Sequence, residues 1–396
     1  MKVRIERRMF ANWPWSLIGS VVLIALIGLW NLASASRAPL AGTPHAPLAG
    51  TPHASLASAQ ATFLAVGLVV AIVIALLDYR WIRRMVVPAY CLNLAALVAL
   101  RFFGHKAKGA TSWFLIGPWS IQPAEFMKLT LVLMLAKLFH DDFKSESPTY
   151  GFKRLLIPTL VTLVPAVLIL TEPDLGTTLM MLLTFMTVVV FAKLRWTVVL
   201  TLCLAGVAVV GVMWNDYIRE QPEPRWTIAR RALKPHQDAR ISGWLSPDTD
   251  LRGVNYHQRQ SRIAVGSGGL TGKGWQKGSQ SGLRYLPEQH TDFIFSVWAE
   301  EQGFVACLVL VGLYGVVFIS MLLVAYHARE RFGAFVAVGF AAMLFWQLFE
   351  NVGMGTGLLP VTGITLPLFS YGGSSMMSTM LAMGLLMNIS INRRAF

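Results

Sequence analysis

Acidic residues stand where apolar stretches begin. Gln122-Pro123-Ala124-Glu125 opens one, Glu172-Pro173-Asp174 another, and Pro287-Glu288-Gln289-His290-Thr291-Asp292 a third. In the first two, proline takes the first helical turn, where its missing N–H costs nothing, and an acid follows that suits the helix dipole. A dipole partner is worth about 0.3–1 kcal/mol, and for Asp174 alone that reading would suffice. Glu125 and Lys128 lie three residues apart and can pair on one helix face, either as a structural ion pair or as the wall of a polar cavity. Asp292 differs, because Phe293-Ile294-Phe295 follows it directly. A carboxylate at such a boundary is partly desolvated, which suits it to take a proton as a general base.

Apolar elements must position these groups, and the composition supplies them. Hydrophobic residues make up 55% of the 396-residue chain and charged residues 14%, against roughly 25% charged in soluble domains. Leu17 to Leu32, Phe63 to Leu77 and Leu175 to Ala192 carry no charge, and each approaches the ~20 residues that cross a bilayer. Spans are expected near 14–33, 61–79, 85–103, 123–141, 154–171, 174–193, 197–215, 293–326, 332–352 and 370–391. The expected fold is an all-α polytopic membrane protein of about ten transmembrane helices, one integral domain over 1–396, with a large external loop between helices seven and eight. The eighth stretch is too long for one span, so its first turns should lie at the interface or run obliquely. No small-residue cleavage site follows the first apolar core, so that span reads as retained.

Basic residues set the orientation. Lys2, Arg4, Arg7 and Arg8 precede the first span; Arg80, Arg83 and Arg84 follow the second; Lys144, Lys153 and Arg154 follow the fourth. Lys193 and Arg195 follow the sixth, Arg329 and Arg331 the eighth, Arg393 and Arg394 the tenth. Both termini are thus expected in the cytoplasm, and the acids of spans four, six and eight on the external face. Arg101, Lys106 and Lys108 lie on that face and dissent. The net charge of +14 reads as topology and attraction to anionic lipid, not as nucleic-acid binding. Cys91, Cys203 and Cys307 fall in separate spans, and His45, His53 and His290 show no ligand spacing, so neither a disulfide framework nor a structural metal is expected.

Two long loops interrupt the spans. Residues 34–60 contain the octamer Ala38 to His45 repeated from Ala46 to His53, whose Pro, Gly and Ala suit a flexible linker. Residues 216–292 form the second, the large external loop expected to carry the chemistry. In it Trp226, Ile228, Ala229 and Leu233 alternate with Arg225, Arg230 and Arg231, a pattern for an amphipathic surface helix. A short helix is expected over Asn255 to Val265, bearing Tyr256, Gln258, Arg259 and Arg262, and then a glycine-rich turn from Gly266 to Gly274. That turn is not a nucleotide-binding loop, since Gly274 stands where a Ser or Thr should hold magnesium. It is expected to be flexible backbone near a lipid headgroup, with N–H groups able to meet a phosphate. The last external loop, with Gly353 to Pro360 and Leu366 to Ser375, should fold over the same cavity, because irregular backbone at membrane depth needs protein or water to satisfy it.

Taken together, Gln122-Pro123-Ala124-Glu125, Pro173-Asp174-Leu175-Gly176-Thr177, Gly266 to Gly274, Gly278-Ser279-Gln280-Ser281, Leu286 to Phe295 and Ser370-Tyr371-Gly372-Gly373-Ser374 resemble the SEDS family of shape, elongation, division and sporulation proteins. The Gly278 to Ser281 segment is more similar to the RodA elongation branch than to the FtsW division branch. The resemblance implies a peptidoglycan glycosyltransferase of the bacterial inner membrane that polymerises lipid II beside a class B penicillin-binding protein and the elongation machinery. It also implies that Asp292 is the essential loop aspartate and that Glu125 and Lys128 are the cavity pair. The chain departs from the family at Ser112, where many members carry Arg before the Trp, and in the 38–53 repeat.

The expected chemistry is an inverting displacement with Asp292 as base. The substrate contacts expected from these motifs are Glu125, Lys128, Asp174, Arg259, Lys273, Gln280, Glu288, His290, Ser370 and Ser374. Lys128, Arg259, Lys273 and a divalent cation, magnesium or manganese, are the candidates to balance pyrophosphate charge. A lipid II flippase is the alternative that ten spans with embedded charges leave open, although no inverted repeat or paired discontinuous helices can be read. A scaffold that only holds its partner is a third.

Overall fold

The computed structural model describes residues 13–36, 56–107, 110–117, 119–142, 149–172, 174–213, 235–245, 255–283, 285–286 and 288–392. Ten helices occupy the ten expected spans: α1 (Trp15–Ala35), α2 (Leu56–Leu76), α3 (Tyr79–Phe103), α4 (Pro123–Asp142), α5 (Phe152–Thr171), α6 (Leu175–Phe191), α7 (Trp196–Met213), α10 (Ile294–Tyr326), α11 (Arg331–Thr356) and α12 (Gly373–Ile391). Seven of them are long and apolar enough to cross a bilayer unaided by context. α4 is not among the seven; its chain carries Glu125 and Lys128, which the packing buries. α8 (Pro235–Leu245) and α9 (Asn255–Ser267) lie between α7 and α10. The expected helix at Asn255 is thus present and two residues longer. The amphipathic stretch around Trp226 and the tandem octamer lie outside the described residues.

One element was not expected. Between α3 and α4 the chain forms an antiparallel meander of β1 (His105–Ala107), β2 (Ala110–Ile116) and β3 (Trp119–Ile121). Phe114 pairs with Ile121 and Ile116 with Trp119. β1 and β3 have three residues each, and β2 ends in the unbroken apolar run Trp113-Phe114-Leu115-Ile116, so no period of two announces them.

α12 runs through the middle of the bundle and packs closely on α2. Small residues permit this approach, as is usual between helices in lipid: a Cβ at Gly384 would meet the Ala71 backbone at 2.6 Å. Asn388 of α12 donates to the carbonyls of Ile74, Ala75 and Leu77, satisfying the open end of α2. At the opposite end of α2, Gln60 donates to the Ser370 carbonyl and accepts from the Gly372 N–H, fixing the rim of the last loop. α1 is tied to the start of α10 through Asn31 to the Ile294 carbonyl, Gln289 to the Ala35 carbonyl, and Ser34 to Glu301.

The long α10 is broken at Gly303, which has φ 78 and ψ −176. The glycine-rich turn, expected to be flexible and free to meet phosphate, fills this break instead. Its carbonyls at Gly269 and Leu270 accept from Phe304 and Val305, and its N–H groups at Lys273 and Gly274 donate to Glu300 and Glu301. The turn therefore satisfies both cut ends of the helix, and glycine at 268 and 272 allows the close approach to α10. Two of the donors expected to meet a phosphate, those of Lys273 and Gly274, are spent on α10. Gly303→Ala should destabilise the fold by at least about 1–3 kcal/mol, since this backbone region is almost reserved for glycine and a Cβ would meet the Leu270 carbonyl at 2.6 Å. A lower thermal midpoint in detergent would show it; an unchanged midpoint would mean that the turn can retreat.

Candidate functional site

The starts of α4, α6 and α12, with the loops that precede α10 and α12, line a cavity of about 410 Å³. Gln122, Glu125 and Lys128 of the α4 start, Asp174 and Thr177 of the α6 start, and Ser374 and Ser375 of α12 form one side. Glu288, His290, Thr291 and Asp292 form the other, with Gly363, Ile364, Thr365 and Tyr371 from the last loop. Trp113 of β2, Ser120 of β3 and Phe63 of α2 close the remainder.

Asp292 is held by its backbone. Glu288 takes a left-handed conformation, φ 52, and its carbonyl accepts from the N–H groups of Thr291, Asp292 and Phe293. The Asn351 amide of α11 donates to the Asp292 carbonyl at 2.9 Å and to the Ile364 carbonyl at 2.7 Å, joining the loop before α10 to the loop before α12. A Cβ at Gly363, itself at φ 81, would stand 3.4 Å from Asp292 Oδ2, so glycine keeps that approach open.

Across the cavity, Lys128 Nζ donates to Glu125 Oε1 at 2.8 Å, and both side chains are buried. Ser378 of α12 donates to the other oxygen of Glu125. Asp174 is the N-cap of α6 and accepts from the Thr177 N–H at 2.9 Å, so the dipole role is filled as well as the cavity position. Glu288, His290 and Ser374 also reach the cavity. Ser374 accepts from the Gln122 N–H and donates to the Ser120 carbonyl.

Four of the expected contacts stand elsewhere. Ser370 is buried in a turn, donating to the Thr291 carbonyl and accepting from the Leu366 N–H. Lys273 pairs with Glu300 at 2.7 Å, and the N–H of Gln280 joins Ser279 and Ser281 around the same carboxylate. That cluster anchors the loop to α10, away from the cavity lining. Arg259 is exposed on α9.

Sequence reasoning passed over Glu350, Asn351 and Glu172 as site residues. Glu350 is 2% exposed, and neither of its oxygens has a hydrogen-bond partner. The signal was available: Glu350 and Asn351 are a charged and a polar residue inside the apolar stretch of α11. Glu172 lies between α5 and α6, 5% exposed, with Oε2 unpartnered. Burial first, then the neighbouring Asp174, pushes its pKa up to about 7, while Ser112 and Arg101 oppose the rise. The folded chain thus keeps this proton to about pH 7, whereas an ordinary carboxyl releases it near 4.5. Between those values the folded state binds more protons, so Glu172 makes stability fall as pH rises, and above about 7 the loss is complete. Thermal unfolding of Glu172→Gln against pH should lack this component; an identical profile would refute it.

Comparison with known proteins follows the same outline. Residues 14–395 match the family model described as cell cycle protein, of the FtsW, RodA and SpoVE type. The chain is 35% identical to the peptidoglycan glycosyltransferase MrdB of Escherichia coli K12, covering 84% of each chain. It is 32% identical to the peptidoglycan glycosyltransferase RodA of Treponema pallidum, covering 84% of this chain and 88% of that one. Among solved structures, a chain of a peptidoglycan synthase complex that coordinates polymerization and crosslinking superposes with a TM-score of 0.75 at 31% identity, covering 96% and 98% of the two chains. The rod shape determining protein RodA of Thermus thermophilus gives a TM-score of 0.66 at 29% identity over 97% and 98%.

Proposed function

Because this chain belongs to the FtsW, RodA and SpoVE family of cell cycle proteins, we propose that it polymerises lipid II with Asp292 as general base. The chain is a membrane-embedded peptidoglycan glycosyltransferase. The acceptor hydroxyl loses its proton to Asp292 as its oxygen bonds to the anomeric carbon of the donor. The bond from that carbon to the pyrophosphate breaks on the opposite side, and undecaprenyl pyrophosphate leaves. One base and a stabilised leaving group suffice for inversion. The carrying observation is that Asp292 and the Glu125–Lys128 pair face one cavity from different elements. Lys128 is the Lys or Arg of that cavity wall among the described residues, and so the side chain suited to pyrophosphate.

Among the described residues, no three His, Cys, Asp or Glu side chains converge as metal ligands. Magnesium or manganese does not fit as a resident of these side chains and would enter with the pyrophosphate. The proton step at Asp292 stands without it. The flippase alternative loses ground for a specific reason: the broken α10 is unpaired, and its cut ends are bonded to the Gly268–Gly274 backbone, not offered to a substrate.

The cavity lies on the periplasmic face of the inner membrane, with both termini in the cytoplasm, as the basic loops support. A class B penicillin-binding protein is the partner, in line with the synthase complex that the fold resembles, and the Gly278 to Ser281 segment supports a role in elongation. The purified chain, joined to a partner whose own active site is blocked, should form glycan strands from lipid II. Absence of polymer in that preparation would sink the reading.

A further inference from the structure

The wall of the cavity that is to receive a pyrophosphate carries acids at its surface, Glu125 and Asp174, and further acids behind them. Lys128 is surrounded by Glu125 of its own helix, Asp174 of the α6 start and Glu350 of α11, and Asp174 in turn lies beside Glu172. These are four carboxyl groups to one ammonium, with Arg101 of α3 reaching Glu172 from outside. Glu125 is spoken for by Lys128 and Ser378, and Asp174 by the cap it makes to Thr177. Glu350 is different. It is almost fully buried and both of its oxygens lack partners, although Lys128, Asp174 and Thr362 face it. Against the lost hydration of an ionised carboxylate in that position stand only the Lys128 charge, already paired with Glu125, and the Thr362 hydroxyl.

Bringing a pyrophosphate to such a cluster adds further negative charge in a low-dielectric site, and the repulsion must be relieved. We infer that Glu350, which Asp174 faces, is a proton-binding site that fills as the pyrophosphate of a lipid-linked sugar enters the cavity. This rests on the glycosyltransferase reading and adds a linked event to it. The proton neutralises a carboxyl that would oppose the leaving group, so that the Lys128 charge is no longer offset by Glu350. Glu172 supports the idea, because burial already holds it at the point of titration near neutral pH. Glu288, His290 and Asp292 are the ionisable side chains of the facing wall and are unaltered in the test below.

The probe is a polyprenyl pyrophosphate in detergent, bound to the full-length chain and followed by calorimetry in two buffers of different ionisation enthalpy. Wild type should take up protons on binding at pH 7. Its dissociation constant should rise with pH, by up to about tenfold per unit for each coupled proton. Glu350→Gln keeps the side-chain shape and should reduce the uptake and flatten the pH dependence. The ligand's own titration contributes equally to both proteins, so the difference reads the protein. Binding without proton uptake, or equal uptake in wild type and Glu350→Gln, overturns the inference and leaves the glycosyltransferase reading standing. Reduced uptake in Glu172→Gln alone overturns the assignment to Glu350. No binding at all overturns both. The wild-type pH dependence needs no variant to fold.

Discussion

Asp292→Asn should polymerise lipid II about 10²- to 10⁴-fold more slowly than wild type, the usual contribution of a positioned general base. The substitution keeps size and shape, and the main-chain bonds that hold residue 292 do not depend on its carboxylate. The Glu288 carbonyl still receives the three N–H groups of the turn, and Asn351 still donates to the main-chain carbonyl. The capacity to accept a proton goes. The loss should fall on turnover, with lipid affinity and thermal midpoint close to wild type. The measurement is glycan formation from lipid II with the partner's active site blocked. A normal rate would remove Asp292 from the chemistry. In vesicles, fluorescent lipid II translocation that survives the substitution while polymerisation is lost would revive the flippase reading as an additional activity.

Much of the frame was legible because its signals are local. Charge-free runs of bilayer length, proline in the first turn and an acid after it are properties of short segments, and the helices at α4 and α6 begin where those signals stand. Asp292 was legible for the same reason, as an acid abutting Phe293-Ile294-Phe295. What could not be read depends on contacts remote in sequence. Glycines 268 to 274 have the composition of a flexible loop, yet their freedom serves close packing against the broken α10. Lys273 and Gln280 looked like free polar groups because nothing in the sequence says that Glu300 is fully buried and draws them in. Glu350 was hidden in plain view: its neighbours Lys128 and Asp174 are far away along the chain, so a lone acid in an apolar run had no visible partner.

Lys128→Met should both destabilise the fold and slow the reaction, and the two effects can be separated. Lys128 is 4% and Glu125 10% exposed at the side chain, so removing the ammonium strands a buried carboxylate. Breaking such a pair from one side costs about 3–5 kcal/mol, whereas replacing both partners with neutral groups of similar volume is often close to neutral. Glu125→Gln combined with Lys128→Met should therefore recover most of the thermal midpoint lost by Lys128→Met alone. If Lys128 also meets the departing pyrophosphate, the double variant should remain slow, by roughly the 10²–10³ typical of a lost electrostatic contact to the transition state. Stability restored without activity would place the ammonium in the chemistry. Stability and rate restored together would mean that the pair only holds α4 in the bundle. The cavity would then need another source of positive charge for the leaving group, and the side chains of its wall offer His290 in place of Lys128.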